Sequence, residues 1–158
     1  MTDSDFVDKQ TAHRFYSSLP CGIAHFSLSG DTISIYDIND ACWQICGYPD
    51  KQTFIDTVSA EVEAVIYPDD RAAFACLAQR VIRTGDRVDA DLRIVRYDES
   101  CGYVHKTLER MITPEGVDIL QDVFMDTSVY TEELRAEQRE KDETQRMFRA
   151  ALENLDVF

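Results

Sequence analysis

Basic residues are scarce in this chain. Sixteen Lys and Arg stand against thirty Asp and Glu over 158 residues, a formal net charge of −14. Such a surface repels phosphates, which argues against nucleic acid and anionic membranes as partners. No apolar run approaches the roughly 20 residues that a helix needs to span a bilayer. The opening MTDSDFVDKQ lacks the basic and apolar regions of a signal peptide. Five cysteines are an odd number, without paired spacing, and fit a reducing cytoplasm better than a disulfide framework. Gly-rich phosphate loops, nucleophile elbows and zinc motifs are missing, so no enzymatic activity is expected of this chain. What is present, 44% hydrophobic residues with 10% aromatics, suffices for one core plus an appendage.

Along the chain, Phe6, Phe15, Tyr16 and Leu19 are spaced like one stripe of an amphipathic helix that Pro20 stops. CGIAHFSL and TISIYDI read as two strands of a hairpin, and Asn39-Asp40 as a helix cap ahead of ACWQICGY. Short helices follow to Ile66. YPDDRAAFACLAQRVIRTGD predicts a longer helix, with Pro68 in its first turn, Asp69 and Asp70 at the positive end of its dipole, and Gly85 as its stop. Phe74, Leu77 and Val81 form its inward face. In RVDADLRIVRY, Val88, Ala90, Leu92 and Ile94 alternate with polar residues. YVHKTLERMIT and VDILQDVFMDT complete three strands. The last is apolar on both faces and should be central, covered by the mid-chain helices on one side and the N-terminal helix on the other. From Val129 to Leu155 neither Gly nor Pro intervenes, which predicts one charged helix. Its register of Leu134, Gln138, Lys141, Gln145, Phe148, Leu152 and Leu155 makes a weak coiled-coil seam.

Four motifs in order, LPCGI (Leu19–Ile23), NDACWQICGY (Asn39–Tyr48), IYPDDR (Ile66–Arg71) and MDTS (Met125–Ser128), resemble landmarks of PAS sensor domains. The likeness covers about Phe15 to Ser128. It implies an α+β fold with a five-stranded antiparallel sheet in order 2-1-5-4-3, helices on one face, an N-terminal helix and a long exit helix. The division that follows is an N-terminal helical cap over 1–19, a sensory domain over 20–128 and a linker helix over 129–158. His105 stands near where many relatives carry Trp. Cys76, in AAFACLAQR, lacks the Asn-Cys-Arg-type setting of the family's flavin branch, and that helix has no His for haem. Neither flavin nor haem is therefore expected, and the cofactor is left unknown.

The resemblance further implies a sensory module that binds a small ligand or a partner between the sheet and the helix over 68–85. Phe26, Ile35, Trp43, Phe74, Leu77, Leu92 and Ile94 are the expected lining. Asp126, Thr127 and Ser128 would tie the last strand to the exit helix and relay the signal, because such residues cap helices. The effector would be a diguanylate cyclase or a histidine kinase. The alternative is a dimerisation scaffold with a filled core, and a cavity of about 300 Å³ or more separates sensing from scaffolding. A homodimer through the N- and C-terminal helices is expected. Cys42 and Cys46, four apart on one helix near His25, read as core filler rather than metal ligands. His25 and His105 are expected to point to solvent or to satisfy a local bond. The tail QRMFRAALENLDVF echoes AHRFYSSLPCGIAHF, so Val157 and Phe158 are expected to begin a further domain.

Overall fold

The computed structural model describes the backbone of residues 3–155 and the side chains of residues 10–155. The side chain of Phe6, and Val157 and Phe158, named above, lie outside the described residues. Two compact units divide between Asp126 and Thr127.

The first unit opens with α1 (Asp3–Ser18), then the hairpin of β1 (Gly22–Ser29) and β2 (Thr32–Ile38). Two short helices, α2 (Asp40–Ile45) and α3 (Lys51–Ala60), lead to a 3-10 turn (Pro68–Asp70) and α4 (Arg71–Thr84). Three strands close the unit: β3 (Val88–Val95), β4 (Cys101–Ile112) and β5 (Asp118–Asp126). All pairings are antiparallel and the order is β2-β1-β5-β4-β3, so β5 is the middle strand. The segment read as one helix from Pro68 is therefore a 3-10 turn followed by an α-helix. Gly85 ends α4 in the left-handed region (φ 73°), which its missing Cβ permits at little steric cost.

One face of the sheet carries the core. Ala24 and Phe26 of β1, Leu92 and Ile94 of β3, Val104 and Leu108 of β4, and Leu120 and Phe124 of β5 pack against buried residues of α2, α3 and α4. Gly22 lies beneath the Phe124 ring, where an added Cβ would sit 2.4 Å from the ring. The opposite face departs from expectation. Residues 10–15 of α1 are exposed, Met125 is exposed, and it is Tyr16 that stacks on His25 of β1. Among the described side chains, α1 therefore covers this face near His25 and leaves Met125 open. Ile119 of β5, on the same face, is only 2% exposed, so the face is covered in part.

The second unit is α5 (Ser128–Leu155), a single helix. Its surface is held by pairs such as Glu137 with Lys141 at 2.8 Å, and Gln138 donates to Asp142. Leu134, Phe148, Leu152 and Leu155 are exposed on it. No described helix is long and apolar enough to cross a membrane.

Candidate functional site

Alternation along β4 and β5 turns residues 104, 106 and 108 and residues 120, 122 and 124 toward α4. Two of these six are charged. The register sets Lys106 opposite Phe124 and Asp122 opposite Leu108, so the two charges meet on the diagonal. Lys106 Nζ donates to Asp122 Oδ2 at 2.6 Å, and each side chain is only 5% exposed. The ammonium also lies 4.5 Å from the centre of the Phe124 ring and 5.4 Å from that of Phe74. Ring faces are negative, so both contacts favour the cation. The second carboxylate oxygen, Asp122 Oδ1, is buried and has no hydrogen-bond partner among the described residues.

Two cavities adjoin this pair. The larger, about 140 Å³, is bounded by Phe26, Ile33, Val62, Glu63, Phe74, Ala75, Ala78, Gln79, Ile82, Leu108, Leu120 and Asp122. The smaller, about 30 Å³, lies toward α2 and α3, among Cys42, Cys46, Phe54, Ile94, Lys106 and Asp122. The space exists because α4 points Ala78, rather than a larger residue, at the sheet. Its buried stripe is Phe74, Ala78 and Val81, while Leu77 lies at the stripe's edge.

Of the seven expected lining residues, the structure brings Phe26, Phe74 and Ile94 to these cavities. Leu92 is buried in the core beside them, while Ile35, Trp43 and Leu77 are partly buried and packed against that core. The sequence reading missed the charged pair. Its signal was there: Lys106 stands between Val104 and Leu108, and Asp122 between Leu120 and Phe124, at strand positions that should be apolar.

Three polar clusters hold the walls. Asn39 caps α2: its Oδ1 accepts from Ile23 N at 2.9 Å and Cys42 N at 3.2 Å, and its Nδ2 donates to Cys21 O and Tyr16 O. Asp70 accepts three bonds from Arg93, one from its backbone N–H and two from its guanidinium, tying the start of α4 to β3. These bonds hold the Asp70 carboxyl below its ordinary value. Arg93 also stacks over Tyr67. At the far end of β5, Asp126 faces the Arg96 guanidinium at 3.5 Å. In the second unit, Thr127 O accepts from Thr131 N at 2.8 Å, the first helical bond of α5.

Cys42 and Cys46 are free and buried, and burial pushes both thiols up, Cys46 to about 12. Among the described residues, no three His, Cys, Asp or Glu side chains gather to hold a metal ion. His25 Nε2 bonds Gln121 at 3.0 Å, and His105 Nδ1 bonds Asp91 at 2.7 Å.

No protein-family profile matches the chain, and no curated protein matches it. Solved structures do. A PAS domain from Colwellia psychrerythraea superposes with a TM-score of 0.61 at 18% identity, over 77% of this chain and 98% of its own. A sensory box histidine kinase/response regulator from Burkholderia thailandensis gives 0.58 at 15%, over 87% of this chain and 98% of its own. The N-terminal domain of a diguanylate cyclase with PAS/PAC sensor from Marinobacter aquaeolei gives 0.56 at 17%, over 70% and 98%. At these identities the likeness is one of fold.

Proposed function

The chain has the PAS fold, and on that premise we propose that it is a non-catalytic sensory module. A small molecule enters the cavity beneath α4, and its presence is relayed through Asp126, Thr127 and Ser128 to α5. The observation that carries this reading is the buried Asp122 oxygen without a partner among the described residues, on the wall of a cavity whose volume, about 140 Å³, falls short of the roughly 300 Å³ set above. An apolar cavity of about 150 Å³ is known to take benzene, so the space suits a ligand of that size. It is too small for a drug-sized ligand, which needs about 300 Å³ or more. Ile35, Trp43, Leu77 and Leu92 pack in or against the core but line neither cavity, so the proposed ligand contacts rest on Phe26, Phe74 and Ile94. An effector joined to α5 completes the proposal. The histidine kinase and diguanylate cyclase among the similar structures supply its two candidate classes. The exposed apolar residues of α5 suit a parallel homodimer, which sedimentation over a concentration series tests.

The modest cavity volume also favours the second reading, a dimerisation scaffold that binds nothing. Native mass spectrometry of protein purified without refolding separates the two. The sensory reading predicts a fraction carrying a mass excess near that of a benzene-sized molecule, roughly 80–150 Da. That excess should disappear in Ala78→Met, whose longer side chain fills the cavity. Bare protein throughout, with no small aromatic or alcohol binding up to millimolar concentration, supports the scaffold.

A further inference from the structure

We propose that the cavity selects a neutral ligand with an apolar body and one hydrogen-bond donor, held by Asp122 Oδ1. This rests on the reading of the cavity as a ligand site and adds the chemistry of what enters it. Asp122 lies on the wall of both cavities, its side chain is 5% exposed, and one of its oxygens is bonded to Lys106 while the other has no partner. A buried acceptor without a partner is rare in folded proteins, because desolvation removes its water bonds and gives nothing in return. A ligand O–H or N–H supplies the missing donor. Apart from Glu63 and Gln79, the rest of the larger cavity is apolar, with Phe26, Phe74, Ala78, Leu108 and Leu120 suiting an aromatic or compact aliphatic body.

Charge narrows the class. The Lys106 ammonium already balances Asp122, so an ionic ligand would be buried without a counter-ion of its own. Glu63 on the cavity wall and the acidic surface add a further penalty for anions. A cation arriving at Oδ1 would meet the ammonium 2.6 Å from the same carboxylate. A neutral donor avoids both conflicts.

Phenol, toluene and benzoate test this on the full chain, because all three share a ring while only phenol is a neutral donor. Binding is read from methyl NMR shifts at Ile82, Leu108 and Leu120, with thermal stabilisation in parallel. Phenol should bind at least tenfold more tightly than toluene, against the order that hydrophobicity alone would give, and benzoate should not bind. In the double substitution Lys106→Met with Asp122→Leu the acceptor is gone, no new donor faces the ligand and no charge is stranded, so the phenol preference should vanish while toluene binding persists. Should that variant fail to fold, the comparison in the unsubstituted chain still decides. Ala78→Met leaves the ion pair untouched and should abolish binding of phenol and toluene alike. Toluene binding as tightly as phenol, or benzoate binding more tightly, overturns the donor inference while leaving the ligand-site reading intact. Binding of none of the three at millimolar concentration overturns both.

Discussion

Asp122→Ala strips the counter-ion from an ammonium group that is 5% exposed. At 2.6 Å and an effective dielectric of about 20, the intact pair attracts by roughly 6 kcal/mol. Desolvation of the two ions offsets that by several kcal/mol each, so the net worth of the pair is small. Removing one partner is another matter. The lone ammonium keeps its desolvation penalty and loses its anion, which costs about 3–5 kcal/mol. The Phe124 ring, 4.5 Å from the ammonium with or without Asp122, contributes equally to both chains and cancels. The expectation is therefore a loss of about 3–5 kcal/mol, or roughly 10 °C and upward in Tm for a unit of this size. Urea unfolding followed by the emission of Trp43, the chain's one tryptophan, measures it. The double substitution Lys106→Met with Asp122→Leu should return to within about 1 kcal/mol of the parent, because neither charge is then stranded. A loss below about 1 kcal/mol in Asp122→Ala, or strict additivity of the two single changes, would refute a buried and mutually dependent pair.

Asn39→Ala should cost about 3 kcal/mol, combining a lost helix cap with stranded backbone groups at Ile23 and Cys21. Asn39→Asp keeps the two accepted bonds and should fall between; urea midpoints that do not move would contradict the hub. The Asp70 carboxyl is lowered by its bonds to Arg93, so its contribution is complete above the ordinary Asp value of about 3.9 and is lost as pH falls through the lowered one. Asp70→Asn should therefore flatten the acid limb of stability against pH; an unchanged limb would place the acid sensitivity elsewhere. Brief alkylation at pH 8, read by mass spectrometry, should modify the exposed Cys76 and Cys101 and spare Cys42 and Cys46. Equal labelling of Cys42 and Cys76 would mean that α2 is not packed as described.

Local chemistry made much of the fold legible. The alternation of Val88, Ala90, Leu92 and Ile94 faces the core side of the sheet, and Asn39, Gly85 and the break at Pro20 mark the element ends. The sheet order came from the family likeness, since alternation says which way side chains point and not which strands are neighbours. The ion pair was hidden for that reason. Lys106 and Asp122 each stand at an inward position, but only the register that sets Lys106 opposite Phe124 brings them together. The helix stripe was misread by one position. Leu77 is the larger side chain, yet Ala78 faces the sheet, and its smallness leaves the cavity. Asp70 was legible as a dipole partner, whereas its three bonds to Arg93 depend on a strand 23 residues away.

The central claim is that occupancy of the cavity reaches α5. Hydrogen exchange of the first two turns of α5, compared with and without saturating phenol or toluene, whichever binds, tests it most directly. The account predicts a change in protection there that is lost in Asp126→Ala and never develops in Ala78→Met. Ligand binding that protects the sheet and α4 while leaving α5 exchange unchanged would contradict it.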